Sequence, residues 1–180
     1  MKKKVIQYYL EINEPGELCP SKVTNSSLKF EEVKIACPEY NRFFYLAVGG
    51  DYYWLTKRYW TYSQWYDHVN RPQLRTWAAY LSGAPCGYFE LEKKDNNVEI
   101  VYIGLLQQFL GKGLGAQLLT ETVKQSWKMK VSRVWLHTCS HDHPIALKNY
   151  LARGFKIYKQ EEKIKEMPDN SPGLWHGAHR

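Results

Sequence analysis

Apolar and polar residues alternate from Val5 to Ile12, which predicts a first strand, and Glu14-Pro-Gly-Glu17 followed by Cys19-Pro20 breaks the pattern. No clean period runs from Leu28 to Asn70: Glu39 to Val48 reads as a helix, Gly49-Gly50-Asp51 as a turn, and the aromatic-rich stretch from Trp54 to Val69 as largely helical. From Arg75 the pattern clears. Thr76–Leu81, Cys86–Lys93 and Val98–Leu106 read as three strands, and the short polar turns between them, Ser82-Gly-Ala-Pro85 and Lys94-Asp-Asn-Asn97, predict an antiparallel meander. Leu119, Val123 and Trp127 then recur on one helical face, ending near Met129; Arg133–Cys139 reads as a strand. His143-Pro144 predicts the start of a helix that stops at Gly154, and Phe155–Lys163 predicts a last strand. The sum is a mixed α/β single domain with a central, mostly antiparallel twisted sheet flanked by helices. The domain is expected to span residues 1–166, with 167–180, which holds Pro168 and Pro172, as a loose C-terminal tail.

Length and composition narrow this picture without redirecting it. A chain of 180 residues suits one domain, and 44% apolar residues with abundant Trp and Tyr exclude a disordered chain. Residues 1–97 carry thirteen basic against eleven acidic side chains, residues 98–180 twelve against seven, so most of the net charge of +7 lies in the second half. That excess favours an anionic ligand; with no Lys/Arg cluster, nucleic acid is not an expected partner. The opening Met-Lys-Lys-Lys is followed by an apolar run that Gln7 and Glu11 interrupt, and nowhere do eighteen apolar residues follow one another, so neither a secretory signal nor a membrane helix is expected. Cys19, Cys37, Cys86 and Cys139 stand singly, as in a reduced, cytoplasmic protein acting without a membrane, as monomer or homodimer.

The chemistry concentrates in Leu110-Gly-Lys-Gly-Leu-Gly-Ala116, where three glycines precede an apolar helix. Such a turn frees backbone N–H groups to converge on an anion at the positive end of a helix dipole. A nucleoside-triphosphate loop needs Ser or Thr after Gly-Lys, and Gly113 stands there instead. A dinucleotide fingerprint fits Gly111, Gly113 and Ala116, but the acidic residue it requires about twenty positions on is missing from Arg133–Cys139, and three antiparallel strands precede the motif. A nicotinamide-dependent oxidoreductase is therefore the most distant reading.

The stretch resembles the acyl-coenzyme A loop of the GCN5-related N-acetyltransferase (GNAT) superfamily, (Arg/Gln)-x-x-Gly-x-(Gly/Ala), with Gly113 and Gly115 at both glycine positions and Leu110 in place of the basic or amide residue. A second motif follows: Ala146, Tyr150, Gly154 and Phe155 match the superfamily's Asn-x-x-Ala-x-x-x-Tyr-x-x-x-Gly-Phe, with His143 where Asn is usual. The two cover residues 98–160. The resemblance implies a GNAT-like acyl-CoA N-acyltransferase fold. The ligand it implies is acetyl-CoA, held by the backbone from Gly111 through Lys112, Gly113, Leu114 and Gly115 to Ala116, with His143 and Tyr150 beside it. It also implies oxyanion donors at the end of the preceding strand, near Leu105 and Leu106.

An amine attacks a thioester only when neutral, and with an ordinary pKa near ~10.4 it needs a base. Val98-Glu-Ile-Val-Tyr-Ile-Gly-Leu105 resembles the superfamily strand that carries a catalytic glutamate, which makes Glu99 the first candidate and Glu90 and Glu92 its substitutes. Tyr150 is the candidate donor to the departing thiolate. No metal is expected: His137, Cys139 and His141 alternate like ligands, but strand periodicity produces such a set by chance. The acceptor is expected to be a small-molecule or peptide amine, with Tyr52, Tyr53, Trp54, Tyr59, Trp60, Trp65 and Tyr66 as candidates for its cleft or for core packing. The alternative is a non-catalytic acyl-CoA-binding sensor or degenerate subunit.

Overall fold

The computed structural model describes residues 1–175 and 177. Its strands are β1 (Lys2–Ile12), β2 (Leu28–Glu32), β3 (Leu74–Leu81), β4 (Ala84–Lys94), β5 (Asn97–Leu105), β6 (Arg133–Cys139) and β7 (Lys156–Glu166); its helices are α1 (Pro38–Gly49), α2 (Tyr62–Val69), α3 (Leu114–Lys128) and α4 (Ala146–Ala152). The strands form one sheet in the order β2-β3-β4-β5-β6-β1-β7, antiparallel throughout except for β5 beside β6. Among the described residues no helix is long and apolar enough to cross a membrane.

Strand alternation divides the sheet into two working faces. On one, Phe89 and Leu91 of β4 and Val98 and Ile100 of β5 pack under Leu114, Leu118, Leu119 and Val123 of α3, which makes the larger core. On the other, Tyr88 stacks on Phe44 of α1 with ring centres 4.9 Å apart, and Ala78 and Val48 complete a smaller cluster. Glu90 and Glu92 share this second face with Tyr88, so β4 carries two carboxylates toward α1 and α2. A side chain at Gly104 would overlap Val48, so the glycine is what lets α1 lie so close to β5.

The meander, α3 and β6 lie where the pattern predicts. Between Leu28 and Asn70 the structure differs. A strand, β2, pairs with β3, and residues 53–61 form turns rather than helix, with helix resuming only at Tyr62. Thr61 and Gln64 form a reciprocal capping box there, which is why α2 starts at that point. The helix expected from His143 begins at Ala146, because the His143 ring accepts the Ile145 N–H through Nδ1 at 3.2 Å and holds the chain in a turn. Of the tail expected over 167–180, residues 167–173 are fastened rather than loose: Met167 is buried, Lys3 donates to the Asp169 carbonyl at 2.9 Å, and Arg58 donates to the Gly173 carbonyl at 2.7 Å; 176 and 178–180 lie outside the described residues.

Candidate active site

The site begins with a defect in the sheet. Glu90 pairs with Tyr102 and Leu91 with Ile100, so Val101 is an extra residue in β5 and forms a bulge. Bulges bend the strand that carries them. Accordingly β5 and β6 pair only at Asn97–Arg133, Val98–Val134 and Glu99–Trp135, and then part, while β6 stays paired with β1 along its length. The result is a wedge between the end of β5 and the end of β6, with Glu99 at its apex.

The wedge has a polar edge. The Leu106 N–H donates to the Cys86 carbonyl at 2.9 Å. Successive residues of an antiparallel strand turn their N–H groups to opposite sides, so the Leu105 N–H faces the wedge. Of the two oxyanion-donor candidates, Leu106 is thus engaged with β4 and Leu105 is the one directed at open space.

The glycine turn closes the far end. Gly111 and Gly113 have φ of 72° and 75°, left-handed values that side chains strain to adopt, and Gly113 occupies the position before α3 with no side-chain cap. A Cβ at either would meet nothing within 4 Å, so the backbone here borders space, not protein. Lys112 is exposed, its ammonium 5.7 Å from the centre of the Phe109 ring. Leu114 is buried in the core, while Gly115 and Ala116 start the first turn of α3. The Asn149 amide donates to the Gly115 carbonyl at 3.2 Å, and a methyl at Gly115 would lie 3.8 Å from Leu105 Cδ1. Strand end, glycine turn and α4 therefore meet at one place.

Tyr150, next to Asn149, packs edge-on against Phe155 with ring centres 6.1 Å apart. Burial pushes its hydroxyl well above the usual tyrosine value, and Asp142 adds to the shift. His143 lies against Tyr52 at 5.5 Å and serves the turn before α4. Among the described residues no three His, Cys, Asp or Glu side chains gather as metal ligands. Asp142 instead orders the His137–His143 stretch, accepting from Thr138 Oγ1 at 2.6 Å and the Cys139 N–H at 3.0 Å.

The three carboxylates differ sharply. Glu90 is fully buried and accepts from Asn41 Nδ2 at 2.8 Å and His68 Nε2 at 2.9 Å. Glu92 is held in a fork by Arg71 at 2.6 and 3.1 Å. Glu99 has the looser partner, His137 Nε2 at 3.8 Å, and keeps 26% of its side-chain surface exposed. Burial raises its pKa to about 6, Glu92 pushes it further the same way, and Lys57 opposes them. Burial also lowers His137 below the usual imidazole value.

Around Glu99 the irregular segment 53–61 supplies a group with no local signal in the sequence. Lys57 places its ammonium 4.7 Å from the Trp60 ring centre and 4.8 Å from that of Tyr102. Of the candidate cleft aromatics, Trp65 is buried in packing, Tyr59 and Tyr66 are exposed, and Trp54 and Trp60 flank the site, Trp54 lying 4.8 Å from Tyr102.

Solved structures share this architecture. A GCN5-related N-acetyltransferase from Kribbella flavida superposes with a TM-score of 0.65 at 18% identity, covering 98% of this chain and 62% of that one. Another from Sphaerobacter thermophilus gives 0.66 at 15%, covering 89% and 51%. An aminoglycoside acetyltransferase from an uncultured soil metagenomic sample, in complex with trehalose, gives 0.60 at 13%, covering 72% and 88%. At such identities the likeness carries the fold alone, and the chain spans only half to two-thirds of the first two relatives. No curated protein matches the chain in sequence. The family model for the acetyltransferase (GNAT) family, however, matches residues 34–155, which include the bulged strand, the glycine turn and α4, and the chain belongs to that family.

Proposed function

We propose that the protein transfers an acetyl group from acetyl-CoA to a primary amine by direct attack within a ternary complex. The observation that carries this reading is the wedge opened by the Val101 bulge, with Glu99 at its apex and the glycine turn at its mouth. In this reading the N–H groups from Gly111 to Ala116, at the positive end of α3, bind the donor's pyrophosphate, and Lys112 adds a positive charge. The unpaired edge of β5 offers hydrogen bonds to the amide-bearing arm of the donor, much as an added strand would. That arm points the thioester toward Glu99.

Glu99 then takes the proton of the attacking amine. A carboxylate with a pKa of about 6 is ionised at neutral pH yet more basic than an ordinary glutamate, which suits a general base. Glu90 and Glu92 are spent on Asn41, His68 and Arg71 and do not compete for the role. Charge developing on the carbonyl oxygen is met by the Leu105 N–H. Tyr150, half-buried and with a desolvated hydroxyl that is a weaker acid than free phenol, stabilises the departing thiolate by donating a hydrogen bond rather than by full proton transfer.

Thermal unfolding with acetyl-CoA, CoA and NADH in parallel tests the ligand. Saturation at a hundred times Kd adds ~2.7 kcal/mol. The expected result is a shift with the two CoA species alone; no shift with either overturns the reading. Screening amines for CoA release then separates turnover from binding without turnover.

A further inference from the structure

Lys57 belongs to an arrangement that the amine-transfer reading does not use. Its Nζ lies 3.1 Å from His68 Nδ1 and 3.2 Å from Nε2. Arg71 Nη2 lies 3.2 Å from the same Nδ1. A guanidinium only donates, so Nδ1 is the accepting nitrogen and the ring proton sits on Nε2, from which it is donated to the buried Glu90 carboxylate at 2.9 Å. Nucleophile, base and orienting acid thus stand within hydrogen-bond reach of one another, with Nζ over the imidazole ring. Asn41 fixes Glu90 from the other side at 2.8 Å, and Tyr45 fixes Lys57 by accepting its backbone N–H at 3.1 Å.

This amine is on the wedge side of the sheet. It rests over Tyr102, next to the bulge that parts β5 from β6 and three residues beyond Glu99. We propose that Lys57 is itself an acyl acceptor, N-acetylated by the protein from the donor thioester in the wedge; this rests on the acetyl-CoA reading above.

In the step, the Nζ lone pair forms an N–C bond to the thioester carbonyl carbon and the C–S bond breaks. The nitrogen's proton passes to His68 Nδ1 as Arg71, which keeps its bonds to Glu92, gives up that lone pair, and the sulfur leaves as thiolate to be protonated from solvent. The products are Nε-acetyllysine and CoA, with no further reactant. Burial lowers the Lys57 pKa to about 8, against the opposing pull of Glu90, so its neutral fraction at pH 7.5 exceeds that of an ordinary lysine on the order of a hundredfold. Lys156, Lys159 and Lys163, each paired with a glutamate at the surface, are shifted the other way.

The test incubates the full chain with acetyl-CoA labelled in its acetyl group and maps the label by peptide mass, with the CoA-induced thermal shift recorded on the same samples. The expected result is label at Lys57 at tenfold or more the occupancy of surface lysines such as Lys156, loss of that label in Lys57→Arg with the thermal shift kept, and labelling at least tenfold slower in His68→Gln. Label spread evenly over surface lysines, or no label at Lys57 in a protein that CoA stabilises, overturns the inference and leaves the donor reading standing. Absence of both label and thermal shift overturns both.

Discussion

Glu90 and Glu99 show how identical side chains, nine residues apart on paired strands, acquire opposite surroundings. Glu90 has two donors and no exposure; removing it leaves Asn41 and His68 without their buried acceptor. Glu90→Ala is therefore expected to cost about 3–5 kcal/mol, read as a lowered midpoint in urea. Glu99 is a carboxylate that the fold holds at an energetic cost. Its folded pKa of about 6 lies above the ordinary glutamate value of 4.5, so the native state binds the proton more tightly and stability falls as pH rises from 4.5 through 6. At neutral pH both states are ionised and the cost is complete, about 2 kcal/mol for a shift of this size. Glu99→Gln removes it. The variant is expected to unfold a few degrees higher at pH 7 while losing 10²- to 10⁴-fold in kcat/KM on the acceptor amine, and the wild-type rate should rise with pH through about 6. A variant both less stable and fully active would remove Glu99 from the mechanism. Sequence singled out Glu99 through its strand motif but left Glu90 and Glu92 as substitutes. The partners that engage Glu90, Asn41 and His68, lie 49 and 22 positions away, on helices whose placement no local pattern reveals.

At the scale of elements, the glycine turn separates a cost in backbone strain from a cost in binding. Gly113 and Gly83 have similar positive φ, 75° and 85°, and a Cβ at either meets nothing within 4 Å. Alanine at each site should cost a similar ~1–2 kcal/mol in stability from the left-handed backbone alone. Only Gly113 borders the proposed pyrophosphate site. Gly113→Ala is thus expected to lose most of the CoA-induced thermal shift and Gly83→Ala to keep it; equal retention in both would place the ligand elsewhere. The same turn was legible from sequence, as were α3 and β6, because glycine spacing and apolar period are local properties. The stretch 53–61 was not: Lys57, Trp60 and Trp54 are placed one by one against Tyr102 and His68, so their order along the chain has no period to read. Nor was the Val101 bulge, since an extra residue shows only once β4 and β5 are in register.

For the whole molecule the decisive feature is the position of β1. It lies between β6 and β7, with Gln7–Ile12 paired to Val134–Cys139 on one side and Lys2–Glu11 to Lys156–Glu166 on the other, while Val5, Leu10 and Ile12 enter the core. The first strand in the sequence is thus an inner strand of the sheet, and among the described residues β7 has no other neighbour. Removing residues 1–12 should strand β7 and open the edge of β6, so that the cooperative thermal transition and the CoA-induced shift are both lost. Chain order, by contrast, is not what this geometry demands. The Met1 amino group donates to the Met167 carbonyl at 2.7 Å, so a short linker from Met167 to Met1 would turn β7 and β1 into a hairpin. The chain between β1 and β2 is tied where it passes α3 and α4: the Cys19 N–H donates to the Arg153 carbonyl, the Ser21 N–H to Thr120 Oγ1 and the Asn25 N–H to Gln117 Oε1. Opening it at the exposed Val23–Thr24 peptide leaves these bonds in place. A permuted chain running from Thr24 to Met167 and on through the linker to Val23 is therefore expected to unfold in one transition. Its melting temperature should fall by the contacts Arg58 and Lys3 lose with residues 168–175, and the CoA response should be retained. A permuted chain that fails to fold, beside a wild type that does, would show that β1 acts through its order in the chain, by docking before β7 exists, rather than through the pairs it makes.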